Sequence, residues 1–568
     1  MGGTLQFDTS AASSRALTVS ANSGIGVAAG ATVQFSGSAT GSGNLSKTGD
    51  GVLNLPTPNS ISVVANVSGG VIELSNANAV TNGSIGANID NGVVFNSGIG
   101  AFNVGGLNGA GALDLADTAA SPVKLVVGGN NSSSTFNGAL TGAGSLVKVG
   151  TGTLSVDGAG TYTGGTFVSA GVLASRNAVS PGLVTPFGTG AVTVTNGALV
   201  YLGNAHQDAF GSYQIPNNIN VDNGLVYAWD ASQRILGNLN IGPGGAAIGS
   251  TFNAPWENFA EPDFPKALFI DGFVTGTGNL TVEDKGEQVG NAWNTSCAVF
   301  TSAGTAAQNT YSGTVTVNPF IISGSGGSYL YLVGTNVLAN ATINLTGNNL
   351  PGSSRMGTST LLFGKGNVDG PGYVTIGGLA GSGSLLLADT ILFQGGAGYS
   401  NGIPVALTVG YNNSSTTYSG VMSGPGSLIK VGTGTLTLAG ANTYTGNTTV
   451  NGGILKIAQA TLATNSTVSI ASSAKLQLDF SGNNPIGALV LNGVGQPNGI
   501  YSAANTPAYI AGAGSLVIGP VTANYPTNIS VSVSGSTMTL SWPTTHQGWI
   551  LQQQTNSLST GLGDWHQQ

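Results

Sequence analysis

Two stretches of this chain, Leu125 to Leu173 (LVVGGNNSSSTFNGALTGAGSLVKVGTGTLSVDGAGTYTGGTFVSAGVL) and Leu407 to Leu455 (LTVGYNNSSTTYSGVMSGPGSLIKVGTGTLTLAGANTYTGNTTVNGGIL), align without a gap and agree at roughly three positions in five. Chance does not produce that over about fifty residues, and a repeat of this length restricts the fold to architectures in which equivalent units stack on one another. Weaker copies surround the pair: GSGNLSKTGDGVLNL at Gly41 to Leu55, GAGALDLAD at Gly109 to Asp117, GTGNLTVED at Gly276 to Asp284, GSGSLLLAD at Gly381 to Asp389 and GAGSLVIG at Gly512 to Gly519. A G-x-G-x-L pattern thus recurs about ten times. In the best copies two leucines stand eight residues apart, as in Leu45 and Leu53, Leu146 and Leu154, and Leu428 and Leu436. Two short strands joined by a fixed turn would space them so.

Each G-x-G reads as a sharp turn, because glycine accepts backbone angles that other residues resist, and the next four to six residues as a strand stacked on its equivalent in the neighbouring coil. At about 4.8 Å per coil, roughly twenty coils of about 20 to 30 residues would make a rod on the order of 100 Å long. Alternation places Val147 and Val149 on one face of such a strand and Leu146 and Lys148 on the other. Lys47, Lys148 and Lys430 recur at one repeat position, and a lysine is rarely buried without a partner. The valine face is therefore expected to be the core, with the recurring leucine covering a neighbouring turn. Tyr162, Tyr311 and Tyr444 each precede a turn glycine in T-Y-[TS]-G stretches. They are expected to stack along the rod as a corner ladder, the alternative being a sugar-binding platform.

Composition supports one long repetitive unit. Charged residues are 6% of the 568-residue chain, against about 25% in ordinary globular domains, while glycine reaches 93 residues and the apolar fraction is 40%. Disorder needs low hydrophobicity with high net charge, yet here mean hydropathy is positive and apolar residues alternate with Thr, Ser and Asn. With a net charge of −8 and no Lys/Arg cluster, neither nucleic acid nor an anionic membrane is expected as a partner. Cys297, the single cysteine, excludes an intrachain disulfide framework and a thiolate metal set. No run of about 18 apolar residues occurs, so no transmembrane helix is expected. Met1 is followed at once by GGTLQFD, which reads as mid-repeat, and Gln568 falls in a strand-like run. Both ends are expected to be truncations.

The motif G-x-G-x-L-x-K-x-G-x-G-x-L-x-L-x-G-x-N-T-Y-T-G-x-T-x-V-x-x-G-x-L at Gly424 to Leu455 resembles the passenger-associated transport repeat, the autotransporter-associated β-strand repeat of large exported proteins. Degenerate copies extend the resemblance over most of residues 1 to 520. The resemblance implies an all-β, right-handed parallel β-helix displayed extracellularly or on the outer surface of a Gram-negative bacterium, with the repeat assisting secretion. The alternating apolar girdle of a membrane β-barrel is missing from this sequence. After Pro520 the chain instead resembles the opening strands of an immunoglobulin-like or fibronectin-like sandwich, about half of such a domain. The expected organisation is solenoid repeats over 1–205, an irregular insertion or decorated coils over 206–293, solenoid repeats over 294–519, and an incomplete β-sandwich segment over 520–568.

Charge departs from its low background only between His206 and Trp293, where Trp229, Asp230, Trp256, Glu257, Glu261, Asp263, Asp271, Glu283, Asp284, Glu287 and Trp293 fall. Carboxylates beside tryptophans are what a glycoside hydrolase requires, and β-helices host polysaccharide-degrading enzymes. No spacing here fixes two carboxylates on one strand face, so the first expectation is a polar insertion with a small core of its own. Carbohydrate binding by Trp229, Asp230, Trp256, Glu257, Asp263 and Trp293 comes next, with extracellular polysaccharide or a neighbouring cell surface as the partner, and catalysis comes last. His206, His546 and His566 are scattered, the G-x-G turns never continue as G-x-x-G into a helix, and calcium-binding glycine repeats are absent as a series. The expectation is a non-enzymatic scaffold or adhesin without cofactor or metal.

Overall fold

The computed structural model describes residues 2–58, 61–175, 182–183, 185–203, 213–229, 233–251, 267–283, 295–301, 305–318, 327–347, 358–363, 372–392 and 398–519, with four short strands beyond. All regular structure among these residues is β, in strands of at most eight residues. One thirteen-stranded sheet runs from Thr4–Phe7 to Val274–Gly276, and a fifteen-stranded sheet from Ser134–Phe136 to Ile510–Gly512. A ten-stranded sheet from Gly182–Leu183 to Gly398–Pro404 and a seven-stranded sheet from Tyr373–Ile376 to Val494–Gly495 complete the long stacks.

Pairing is parallel nearly throughout, and each sheet receives one strand per coil. Leu407, Leu428, Thr448, Val468 and Leu489 stand one above another on successive coils, 20 or 21 residues apart. Fifteen stacked strands at about 4.8 Å make a wall about 67 Å long. Antiparallel pairs occur between Leu385–Leu392 and Gly398–Pro404, and near the end of the stack at Ala488–Leu491 with Val494–Gly495 and Gly499–Ser502 with Ser515–Ile518. The architecture is a parallel β-solenoid.

The paired leucines fall in two sheets. Leu146 lies in strand Ser145–Lys148 and Leu154 in Thr153–Val156, with the Gly150 turn between them. A single continuous apolar core extends from Val19 to Ile518 and contains both. Gly150 takes φ +67°, and a Cβ there would lie 2.1 Å from the Gly128 carbonyl oxygen; Gly432, at φ +69°, would meet the Gly410 oxygen at 2.0 Å. Coils approach so closely at this turn that only glycine fits.

The core face is the reverse of the one expected. Leu146 and Lys148 point inward and are buried, while Val147 and Val149 are half-buried on the outside. Lys47, Lys148 and Lys430 are each 1% exposed. The rule that lysine stays in water fails because the turn after each strand aims carbonyls at the interior. Lys148 Nζ donates to Val149 O at 2.6 Å, Gly150 O at 2.8 Å and Ala170 O, one coil onward, at 3.2 Å. Lys430 repeats the set with Val431 O, Gly432 O and Gly452 O at 2.6, 3.2 and 3.2 Å. Lys47 bonds Thr48 O, Gly49 O and Gly69 O at 3.0, 2.8 and 3.0 Å. All three ammonium hydrogens are thereby used. Burial still lowers the affinity for the proton: the pKa of Lys148 and of Lys430 falls to about 8, and Lys47 shifts the same way, opposed by the charge of Asp50.

The corner tyrosines also differ from expectation. Tyr162, Tyr311 and Tyr444 sit in the aliphatic core without ring-stacking on one another, each phenol held by a hydrogen bond. Thr166 Oγ1 donates to Phe187 O at 2.9 Å, so the 2.5 Å contact between Tyr162 and Thr166 has the phenol as donor. Tyr444 and Thr448 form the equivalent pair at 2.7 Å, whereas Tyr311 donates to Gly278 O in the preceding coil at 2.8 Å. Such contacts are closed to a sugar.

Beyond Pro520, Ser530–Ser534 pairs antiparallel with Thr537–Ser541, and Gln552–Gln553 with His566–Gln567. These are the described parts of the segment expected to open a sandwich.

Candidate functional site

Of the six residues expected to bind carbohydrate, Trp229 ends the strand Gly224–Trp229, whose neighbours in the sheet are Leu199–Leu202 and Ala246–Thr251. Asp230, Trp256, Glu257, Asp263 and Trp293 lie outside the described residues, as do Glu261, Asp284 and Glu287. Three carboxylates of that region are described, and they are engaged separately: Asp222 accepts from the Gly244 backbone at 2.5 Å. Arg234 grips Asp271 through Nε at 2.6 Å and Nη2 at 2.8 Å, with its guanidinium 4.8 Å from the Phe269 ring centre. Thr301 Oγ1 donates to the same Asp271 carboxylate. Glu283 accepts from Asn318 Nδ2 at 3.1 Å. An arginine clamp and an amide contact orient these groups within the solenoid wall rather than toward a common reacting atom.

Other reactive groups are enclosed. Cys297 is wholly buried, which pushes its thiol pKa far above the usual range. Burial likewise raises the phenols of Tyr162, Tyr311 and Tyr418, and raises that of Tyr444 to about 12. Among the described residues no group of three or more His, Cys, Asp or Glu side chains could hold a metal. No helix among them is long and apolar enough to cross a membrane.

An accessible concavity lies elsewhere, on the outer face of the seven-stranded sheet. A cleft of about 570 Å³ is lined by Asn336, Thr375, Thr408, Tyr411, Val431 and neighbouring small residues. Strand Tyr373–Ile376 turns Val374 and Ile376 into the core and therefore Thr375 outward; Ala406–Val409 does the same for Thr408. The two threonines are direct partners in the parallel register, one coil apart. Tyr411 follows the Gly410 turn and is 51% exposed. Sequence reasoning missed this place because its residues are scattered from Ala306 to Gly432 and meet only through stacking. One signal was available: in the gapless alignment Thr408 and Tyr411 stand where the first copy has Val126 and Gly129.

The chain matches the Passenger-associated-transport-repeat family at residues 146–174 and 428–457. These segments carry the Lys148 and Lys430 strands together with the tyrosine corners. It is also 30% identical over 181 residues to the adhesin BmaC autotransporter of Brucella suis biovar 1 (strain 1330), covering 31% of this chain and 5% of that protein. The chain thus spans a small part of the length of the curated relative it matches. No solved structure matches. Two of the three buried-lysine coils, those of Lys148 and Lys430, therefore match the passenger-associated transport repeat, within a parallel β-solenoid that is similar, over 31% of its length, to an autotransporter adhesin.

Proposed function

We propose that this chain is part of a secreted or surface-exposed passenger of a Gram-negative bacterium, acting as an extended scaffold or adhesin, with its repeats assisting export. The observation that carries the reading is the uninterrupted stacking of short coils through one core from Val19 to Ile518. Such a stack grows in length without changing its cross-section, which suits presentation at a distance from a surface. The family match and the adhesin relative support the same reading. A non-enzymatic role agrees with Asp271 and Glu283 each being held by its own partner.

The test is a binding assay of the purified chain on a glycan array and on cultured cells, beside a variant with Trp229→Ala, Trp256→Ala and Trp293→Ala, with reducing-end release followed on every bound polysaccharide. Attachment without release supports an adhesin, and loss of attachment in the triple variant would place the contact in the 206–293 region. Release of reducing ends would overturn the non-enzymatic reading in favour of a polysaccharide-degrading β-helix.

A further inference from the structure

We infer that the cleft formed by Asn336, Thr375, Thr408 and Tyr411 is a binding site for a neutral oligosaccharide. Its volume of about 570 Å³ falls within the roughly 300–1,000 Å³ of small-ligand sites. Two kinds of contact that a pyranose needs are present together. Tyr411 offers an aromatic face, 51% exposed, against which the C–H face of a sugar ring can pack. Thr375 and Thr408 offer hydroxyls from adjacent coils, in register and about 4.8 Å apart along the stack. Asn336, half-buried at the rim, adds an amide that can both donate and accept.

These polar groups are uncommitted. The hydroxyls of Thr375 and Thr408, the amide of Asn336 and the phenol of Tyr411 make no hydrogen bond to the described chain, although the asparagines and serines beside them are bonded. Asn412, adjacent to Tyr411, gives its amide to Thr342 at 3.0 Å and accepts from the Ser414 backbone at 3.0 Å. Its oxygen-bearing neighbour Asn413 accepts from the Thr433 backbone at 2.9 Å. Asn336, Thr375, Thr408, Tyr411 and Val431 bring no charge to the lining, and Lys430, next in sequence to Val431, is turned into the core. A uronic-acid or sialylated chain would find no cation here, so the ligand class is neutral.

The comparison between the two repeats separates this site from the framework. Lys148 and Lys430, Asn130 and Asn412, Asn131 and Asn413, and Gly150 and Gly432 are the same at matched positions and make the same internal contacts. Thr408 and Tyr411 replace Val126 and Gly129, in one strand and the turn that follows it. Folding does not require them, since the first copy folds without them.

That gives substitutions compatible with the coil. In saturation-transfer NMR with cellohexaose, maltohexaose, laminarihexaose and hexagalacturonate, the intact chain is expected to bind at least one neutral hexasaccharide, with transfer strongest at its ring C–H protons. Tyr411→Gly and Thr408→Val, each rewriting the second copy as the first, are expected to weaken binding at least tenfold with an unchanged circular-dichroism melt. The variant lacking Trp229, Trp256 and Trp293 should bind like the intact chain. No binding of any neutral hexasaccharide, equal binding of hexagalacturonate, or binding that survives both cleft substitutions would each overturn the assignment. The site is independent of the scaffold reading, because a solenoid that fails this test is still an extended scaffold.

Discussion

The ammonium of Lys148 donates across the gap between coils to the carbonyl oxygen of Ala170, 22 residues further along the chain, at 3.2 Å. The same step joins Lys430 to Gly452 and Lys47 to Gly69. Each lysine therefore ties one coil to its successor through a buried polar contact beside the apolar core.

Replacing Lys148 with Met keeps most of the unbranched stem and removes the ammonium donors. Three inward carbonyls lose a partner, and leaving one buried polar group unsatisfied costs about 1–3 kcal/mol. Removal of a desolvated charge offsets part of that. Lys148→Met is expected to lower stability by about 1–3 kcal/mol in urea unfolding, and Lys430→Met by a similar amount; an unchanged midpoint would contradict the bonded geometry.

Amine-acylating reagents distinguish the two possible strand faces directly. Lys124 begins its strand exposed, whereas Lys47, Lys148 and Lys430 are 1% exposed. Peptide mapping after brief treatment of the native chain should find Lys124 modified and those three protected, with all four modified in denaturant.

Stability should respond to alkali in two directions. Lys148 and Lys430 have folded pKa values of about 8, below the ordinary 10.5. Between those values the unfolded chain binds more protons, so stability rises with pH from about 8 toward 10. The buried phenols act oppositely: Tyr444 at about 12, with Tyr162, Tyr311 and Tyr418 also raised, stay protonated in the fold after unfolded tyrosines ionise near pH 10. Above pH 10 stability falls. Urea midpoints from pH 7 to 11 should pass through a maximum near pH 10, and a Lys148→Met, Lys430→Met double variant should lose the rising limb.

Close coil approach at the repeat turn predicts a graded response to alanine. Gly150→Ala would drive a Cβ to 2.1 Å from the Gly128 oxygen, but at Gly197, also at positive φ (+74°), nothing lies within 4 Å. Gly197→Ala should show only the conformational penalty of about 1 kcal/mol, and Gly150→Ala a clearly larger loss in thermal melts.

The stacked architecture was legible in the sequence because period, glycine turns and the eight-residue leucine spacing all describe one coil. Which face points inward was not, because the charge of Lys148 by itself favours solvent, and the carbonyls that the following V-G turn presents to it appear only once the coil has closed. In retrospect the recurrence of lysine just before each turn was the signal: a solvent-facing position has no reason to keep one residue type in three coils. The corner tyrosines were correctly assigned to structure, but their anchoring by Thr166, Thr448 and the Gly278 carbonyl depends on which coil lies beside them. Asn336 and Thr375 carry no local pattern, and Tyr411 shows only as a departure from Gly129 between the two copies, since a surface shared by several coils leaves no short motif. The carboxylate-rich 206–293 stretch drew attention by contrast in composition, yet Arg234 and Asp271 form a clamp across neighbouring strands, which is how a sparsely charged wall accommodates the ions it has.

Because the third acceptor of each buried lysine belongs to the coil laid down after it, a coil is electrostatically incomplete until its successor has folded. At the three coils that carry such a lysine, a chain winding coil upon coil from its N-terminal end would complete the ammonium's acceptors only when the following coil is laid down. That order gives those steps a direction that apolar stacking alone does not supply.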